Sequence, residues 1–283
     1  MLRLLSFLFL VSAFFSCLPE KTALERALRE AGDNRMELEK VLAYYRDDTL
    51  KYQAACFLIE NMPDQYAVLP LDSTDTYARA LLSLDKEDPV SWEISRSLVA
   101  AVFDSISKIQ PESRIKIVRD IEVMTSDYLI ENIESAFKVW NRRGVAKHYS
   151  FDDFCSYVLP YRVAHEPLSH WRRTALQRYG HWLDSLNAPQ DIARSIAMRY
   201  PVRYNAGMTK YPYIMSYEEM DSLQWGTCDD MTAFLTLSLR AIGIPAATDV
   251  VKAWANRSSA HCWNVVKAVS YTHLRAHETS AHL

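Results

Sequence analysis

The chain has 283 residues, of which 49% are hydrophobic and 24% are charged. This composition is close to that of ordinary globular proteins, and it excludes a disordered chain, a collagen-like fibre and a protein with many membrane spans. The 32 Lys and Arg residues nearly balance the 35 Asp and Glu residues, for a formal charge of −3. No strong basic field is present, so we expect no nucleic-acid partner. Only six residues are Gly, and because tight β-turns depend on glycine, helices should dominate.

Residues 1–16 have the pattern of a signal peptide. Arg3 is followed by an apolar run that is too short to cross a bilayer comfortably. The run ends in Ser16, directly before Cys17, and this ending resembles the signal of bacterial lipoproteins. We therefore expect Cys17 to be lipidated and the protein to be extracytoplasmic, anchored to a bacterial membrane in the periplasm or at the cell surface. Ordinary secretion and an uncleaved anchor are the alternatives.

Residues 17–149 are predicted to form a helical domain. From Thr22 to about Arg143, amphipathic helical patterns alternate with short polar or proline-containing joints. Residues 92–109 and 126–142 carry apolar side chains at three- and four-residue spacing, which predicts helices that bury one face. In the first of these segments the predicted apolar stripe consists of Ile94, Leu98, Ala101, Val102 and Ile106.

A second region is predicted to begin near Ser150, which has the character of an N-cap followed by acidic residues. Residues 159–171 are broken by prolines and predict an ordered loop, and two helices are predicted over about 168–186 and 189–199. Three polar residues of the loop line a cleft or fill a domain junction: His165, Glu166 and His170. Five tyrosines that follow form a substrate wall or a domain interface: Tyr200, Tyr204, Tyr211, Tyr213 and Tyr217.

The four cysteines beyond Cys17 are widely spaced and include no CxxC pair. The sequence therefore predicts neither a disulfide framework nor a zinc knuckle. Cys56 and Cys155 lie in apolar stretches, where a buried thiol is the expected structure.

Cys228 differs because it stands at the predicted start of a helix. Thr227 or Cys228 begins this helix, apolar residues bury it, and Gly243 ends it. A thiol at a helix N-terminus lies near unpaired backbone N–H groups and the positive end of the helix dipole, and both favour the thiolate. The neighbouring Asp229 and Asp230 oppose a further negative charge, so activation requires a cationic partner.

His261 is the candidate for that partner. It lies in a predicted strand whose alternation places His261 and Trp263 on one face, and Cys262 and Asn264 on the other. A helix-start cysteine that faces a strand histidine suits nucleophilic catalysis, in which the imidazole takes the thiol proton and later protonates the leaving amine. The backbone N–H of Cys228 is the natural oxyanion donor. The alternative is a buried thiol and a hydrogen-bonded strand histidine without a catalytic task.

Three segments, in this order, resemble the core of the transglutaminase-like superfamily of papain-like cysteine enzymes. They are the Gly-Thr-Cys of 226–228, the helix end of 239–246, and the His-Cys-Trp-Asn of 261–264. The resemblance implies an α+β, mostly α fold, in which a helix carries the nucleophile against a small antiparallel sheet. It also implies acyl transfer at an amide of a protein or peptide substrate, with Cys228 as the nucleophile and His261 as the base. We expect neither a cofactor nor a metal ion.

Residues 150–224 resemble, less specifically, the lead-in segments of bacterial lipoprotein members of the superfamily. The superfamily's third catalytic residue is an Asp about 15 residues beyond the histidine. This chain has no counterpart, because the one acidic residue after His261 is Glu278. Residues 269–283 change abruptly in composition and resemble translated adapter sequence. We therefore expect an incomplete transglutaminase-like domain over 150–268, a non-native tail over 269–283, and no activity in the chain as written.

Two classes of function stay open. The first is an extracytoplasmic cysteine enzyme that cleaves peptides or transfers an acyl group to an amine, since both reactions use the same thioester. The second is a non-catalytic, lipid-anchored binding or scaffold protein that keeps the fold.

Overall fold

The chain is mostly helical with small sheets, which confirms the predicted α+β, mostly α fold class. A computed structural model describes residues 22–71, 76–84, 92–109, 115–142, 149–184, 188–199, 201–253, 260–267 and 271–274. The predicted signal segment 1–16 and the predicted lipidation site Cys17 lie outside the described residues. Among the helices that are described, none is both long and apolar enough to cross a membrane.

The helices are α1 (Ala23–Glu30), α2 (Arg35–Tyr44), α3 (Thr49–Glu60), α4 (Thr76–Leu82), α5 (Trp92–Ile109), α6 (Asp120–Val123), α7 (Ser126–Arg142), α8 (Phe151–Tyr157), α9 (Trp171–Tyr179), α10 (Pro189–Ala197), α11 (Tyr217–Leu223) and α12 (Cys228–Ala241). The strands are β1 (Tyr66–Pro70), β2 (Ile115–Arg119), β3 (Arg203–Tyr204), β4 (Trp225–Gly226), β5 (Ala246–Val251), β6 (His261–Lys267) and β7 (Tyr271–Leu274). Antiparallel pairing joins β1 to β2 and orders the largest sheet β5-β6-β7, whereas β3 and β4 are parallel.

The helix starts follow from local chemistry. Ser150 caps α8, because its Oγ accepts the backbone N–H of Asp153 at 3.1 Å while the Asp153 carboxylate accepts the N–H of Ser150 at 3.2 Å. This reciprocal pair satisfies two amides that have no partner inside the helix. The predicted helix start at Ser150 is therefore confirmed.

The predicted apolar stripe of α5 is right in part: Val102 and Ile106 are half-buried and pack against a hydrophobic core, but Leu98 and Ala101 are not part of the buried face. Leu98 is 39% exposed and Ala101 is also exposed, whereas Val99 and Phe103 are buried. One residue rotates a helical position by about 100°, so two adjacent apolar sets are hard to tell apart from spacing alone. The extent of α5 and of α7 agrees with the prediction.

The predicted helical region also contains a two-stranded sheet, which the sequence pattern did not indicate. Tyr66 pairs with Arg119 and Pro70 with Ile115. Ile117 is 65% exposed in the middle of β2. Because the strand does not alternate between buried apolar and exposed polar residues, the period of two that marks a strand is absent from its sequence.

Two hydrophobic cores hold the molecule together, and both draw on residues from either side of position 150. The first core includes Ile133 from α7 and Phe154 from α8. The second includes Tyr77 from α4 and Phe103 from α5, packed with the buried face of α12. The domain boundary between 149 and 150 stays a prediction, and the cores do not divide there.

A buried ion pair crosses the same position. The guanidinium of Arg162 donates to both carboxylate oxygens of Asp120 at 2.7 and 2.8 Å, and both side chains are at most 3% exposed. Arg172 on α9 donates to Asn132 Oδ1 on α7 at 2.6 Å. These contacts attach the loop and helix before the largest sheet to the helices of the first core.

The ordered loop before α9 fills a junction. The His165 ring stacks on Tyr66 of β1, with ring centroids 3.9 Å apart. The Glu166 carboxylate accepts the backbone N–H groups of Val163 and Ala164 at 2.6 and 2.8 Å. These contacts favour the domain-junction interpretation of the loop over a cleft lining.

Candidate active site

Cys228 is the first residue of α12, and the capping residues hold it there. Thr227 is the N-cap, and its backbone N–H donates to Asp230 Oδ2 at 2.7 Å. The N–H of Asp230 donates in return to Thr227 Oγ1 at 3.5 Å. Asp230 therefore has a structural task at the helix start, and the Cys228 side chain projects from a fixed first turn.

Gly226 allows the helix to begin this close to β4. A Cβ atom at this position would lie 2.7 Å from the Cβ of Asp230, so no other residue fits without displacing the cap. The carbonyl oxygen of Gly226 accepts the N–H of Asn205 at 2.9 Å, beside the short parallel pairing of β3 and β4. The predicted close approach at Gly226 is confirmed.

The rest of α12 is embedded in the second core. Every residue from Met231 to Ala241 is buried. Gly243 has a φ of +76°, in the left-handed region that ends helices, as the sequence predicts. A helix buried on all sides cannot shift easily, which gives Cys228 a rigid support.

Strand β6 brings the other half of the site to α12. Asn264 is buried and donates through Nδ2 to the carbonyl oxygen of Thr232 and to Thr236 Oγ1, each at 2.8 Å. These bonds attach the strand to the helix two residues along from Cys262. Cys262 and Asn264 therefore face α12, in agreement with the predicted alternation.

The Cys262 thiol meets the first turn of α12. Cys262 Sγ donates to Asp229 Oδ1 at 3.2 Å and lies 3.3 Å from Thr232 Oγ1. The Sγ atoms of Cys228 and Cys262 and a carboxylate oxygen of Asp229 all lie within 4.8 Å of one another. These three side chains are also the ones, among the residues described, that are placed to hold a metal ion together.

The thiol of Cys228 is acidic in this setting. Hydrogen bonding with Cys262, whose single S–H also lies against Asp229, is the largest cause and, with the hydrogen bond and positive charge of His261, it lowers the pKa of Cys228 to about 6. Burial and the charge of Asp229 act in the opposite direction. The pKa of Cys262 is raised, because its hydrogen bond to Cys228 and its burial both favour the neutral thiol. Cys228 is therefore the more acidic thiol of the two.

The structure brings Cys228 and His261 together, as their spacing predicts. His261 is the first residue of β6, is half-buried and lies within hydrogen-bonding reach of Cys228. The sequence did not predict Cys262 in the site. No pattern in the sequence pointed to it, because the strand alternation puts Cys262 on the face opposite His261.

A carboxylate on the preceding strand lies on the same face as His261. Val251 of β5 pairs with His261 and Asp249 pairs with Trp263, so Asp249 and His261 are diagonal neighbours on one face of the sheet. The resemblance places the orienting acid after His261, so the sequence did not predict Asp249 at this position. Glu278 lies outside the described residues, and residues 271–274 of the predicted tail form β7 beside β6.

The tyrosines that follow α10 divide between core and interface. Tyr217 is 1% exposed and stacks on Phe234 of α12, with ring centroids 4.4 Å apart. Tyr211 and Tyr213 both contact the ring edge of Tyr77 on α4 at 6.2 Å. These rings support α12 and the second core, and Tyr200 lies outside the described residues.

Tyr204 lies near Cys228. It ends β3, directly beside Gly226 in the parallel pair. Burial and then the negative charge of Cys228 raise the pKa of Tyr204. Tyr204 is half-buried, so one wall beside the Cys228 thiol is aromatic.

No protein-family model, curated protein or solved structure matches this chain.

Proposed function

We propose that this chain is a transglutaminase-like cysteine enzyme that acts on amide carbonyls through a thioester. One observation carries the proposal: the Cys228 thiol, at the N-terminus of a buried helix, has its pKa lowered to about 6 and lies beside His261. Thiolate character, a helix N-terminus and an adjacent imidazole are the features that cysteine nucleophiles require.

The reaction begins with attack of the Cys228 thiolate on the amide carbon. The backbone N–H of Cys228 has no partner within the helix, because it belongs to the first turn, and it donates to the developing oxyanion. The imidazolium of His261 gives its proton to the leaving amine, which departs and leaves a thioester on Cys228. Water or a second amine then cleaves the thioester, with His261 as the general base.

Asp249 takes the role of positioning His261 in this proposal, in place of the Asp that the sequence lacks after His261, and for this reason we propose an active chain where the sequence alone predicts an inactive one. Its place on the face of His261 suits a carboxylate that accepts from the imidazole and holds its orientation. The substrate is a protein or peptide, which reaches Cys228 beside Tyr204. The protein acts outside the cytoplasm and is held at a bacterial membrane by a lipid on Cys17, in keeping with the signal pattern of residues 1–16.

Acylation of Cys228 tests the proposal directly. The protein is incubated with p-nitrophenyl acetate and, separately, with a mixed library of peptide amides, quenched in acid and weighed by intact-mass spectrometry. We expect a hydroxylamine-labile acyl adduct on Cys228 with both reagents. Cys228→Ala should lose both adducts, whereas Cys155→Ala, at a buried thiol in α8, should keep them.

His261→Ala separates its role from that of the thiol. An activated ester needs no acid for its leaving group, so ester acylation should persist at alkaline pH, while acylation by amides should be lost. Asp249→Asn should weaken amide acylation, and Val250→Asn, at an exposed neighbouring site, should not. Absence of a Cys228 adduct with both reagents in the folded wild type would overturn the proposal in favour of a non-catalytic binding protein.

A further inference from the structure

The candidate active site contains a second thiol that the proposed reaction does not use. Cys262 and Cys228 come from β6 and α12, and both are free thiols. Their Sγ atoms lie within 4.8 Å of each other, with Asp229 beside them. We propose that Cys228 and Cys262 are a reversible oxidation site, at which hydrogen peroxide converts the two thiols to a disulfide.

The two sulfur atoms begin close to each other. A disulfide needs an S–S separation of about 2 Å, so the two sulfur atoms must approach by at most about 2.8 Å. The bonds from Asn264 to Thr232 and Thr236 hold β6 against α12, which keeps the two thiols beside each other.

The two thiols are suited to different steps. Cys228 is half-buried and lies at the N-terminus of α12, where the helix dipole favours a thiolate, so it is the sulfur that peroxide meets and oxidises. Cys262 is 1% exposed, which protects it from direct oxidation and keeps it beside the oxidised partner. This pairing of an acidic thiolate with an adjacent resolving cysteine is the arrangement of thiols that oxidise reversibly.

The chemistry proceeds in two balanced steps. The Cys228 thiolate attacks one oxygen of hydrogen peroxide, the O–O bond breaks, and the released hydroxide takes a proton to form water, which leaves a sulfenic acid on Cys228. The Cys262 sulfur then attacks the Cys228 sulfur, and the S–O bond breaks. Asp229, whose Oδ1 lies 3.2 Å from Cys262 Sγ, accepts the Cys262 proton. It then passes this proton to the hydroxide that leaves, and a second water forms. A dithiol returns two electrons and two protons and restores both thiols.

The disulfide is measured without reference to activity. Reduced protein is treated with stoichiometric hydrogen peroxide, alkylated, digested without reductant and analysed by mass spectrometry. We expect a cross-linked pair of peptides that contain Cys228 and Cys262 and that separate on treatment with dithiothreitol. Cys155→Ala should give the same cross-link, since that thiol lies elsewhere, in α8.

Cys262→Ala and Cys262→Ser should form no cross-link. An excess of peroxide, at several equivalents per thiol, should instead carry Cys228 of these variants to sulfinic acid, which dithiothreitol does not reverse, so recovery of the free Cys228 thiol should fall at least tenfold relative to the wild type under the same treatment. Urea unfolding confirms that each variant is folded, and dimedone labelling detects the sulfenic acid that can no longer be resolved. No 228–262 cross-link in the wild type, or equal recovery of Cys228 with and without Cys262, overturns the inference.

The inference rests on the proposed function only for its consequence, which is that oxidation blocks the nucleophile and reduction restores it. A cross-link without any acyl adduct on Cys228 refutes the enzyme and leaves the oxidation site standing. An acyl adduct on Cys228 without a cross-link supports the enzyme and refutes the oxidation site.

Discussion

Asn264 Nδ2 donates to the main-chain carbonyl oxygen of Thr232 at 2.8 Å, and this bond fastens the strand of His261 to the helix of Cys228. The same amide nitrogen reaches Thr236 Oγ1, which lies 3.2 Å from Thr248 Oγ1 of β5. A chain of polar side chains thus runs from β6 through α12 to β5. The position of His261 relative to Cys228 depends on these hydrogen bonds, because the two residues belong to separate elements, β6 and α12.

Asn264→Leu should lower the free energy of unfolding by about 1–3 kcal/mol, since it removes two buried hydrogen bonds and leaves Thr236 with fewer partners. It should also slow alkylation of Cys228 by iodoacetamide, because β6 loses its anchor. Urea unfolding and alkylation rates measure the two effects. The matched control is Asn61→Leu, because Asn61 is exposed and its side chain donates to the nearby carbonyl oxygen of Phe57. This substitution should change neither the alkylation rate nor the free energy of unfolding by much. Unchanged unfolding in Asn264→Leu would contradict this role.

The pH dependence of Cys228 alkylation should report its lowered pKa. The thiolate reacts and the thiol does not, so the rate should rise as pH increases, with a midpoint of about 6. In Cys262→Ala the midpoint should move upward, toward the ordinary thiol value of about 8.5, because the largest cause of the lowering is removed. His261→Ala should move it in the same direction.

Cys155 provides the internal comparison for this measurement. Burial, with a smaller effect of Asp152, raises the pKa of Cys155 to about 12, so this thiol should stay unreactive across the same pH range. Peptide mapping after alkylation assigns the label to Cys228 or Cys155. A midpoint for Cys228 that is the same in the wild type and in Cys262→Ala would refute the hydrogen bond as its cause.

The features that could be predicted from the sequence are the ones set by local pattern. Residues 92–109 and 126–142 are helical because their apolar spacing repeats over several turns. Gly243 ends α12 because few other residues adopt a φ of +76°. The proximity of Cys228 to His261 could be predicted, because the helix start places the thiol at the N-terminus of α12 and the strand pattern places the imidazole in β6.

The features that could not be predicted depend on contacts between distant residues. The pairing of β1 with β2 is set by tertiary packing, and the exposed Ile117 hides the strand period. Cys262 was predicted to lie on the face of β6 opposite His261, and in the structure that face meets α12. Its contact with Asp229 arises because α12 begins beside the start of β6, and no local pattern contains that placement.

Gly226→Ala should destabilise the start of α12. The new Cβ meets the Cβ of Asp230 at 2.7 Å, so Asp230 must move and release the N–H of Thr227. We expect a loss of about 1–3 kcal/mol in the free energy of unfolding, which is the usual cost of overpacking a tight site. Cys228 alkylation should also slow, because the helix N-terminus no longer holds the thiol.

Gly180→Ala is the matched control for this change. A Cβ at Gly180 meets nothing within 4 Å, and the residue has an ordinary helical φ of −60°. The substitution should therefore leave stability unchanged or raise it slightly, by up to about 1 kcal/mol, because alanine restricts the unfolded chain. Equal losses in the two variants would show that the close contact at Gly226 does not govern the cap.

The Asp120–Arg162 pair should make the two sides of position 150 unfold together. Both side chains are buried, so Asp120→Leu or Arg162→Met alone leaves an uncompensated charge and should cost about 3–5 kcal/mol. The double variant should lose less than the sum of the single losses, because no lone charge stays buried. The exposed Arg142–Asp184 pair crosses the same position, and Arg142→Met should cost at most about 1 kcal/mol. Urea unfolding followed by fluorescence and by circular dichroism should give one shared transition in the wild type; two separated transitions would mean that residues 17–149 and 150–268 fold independently.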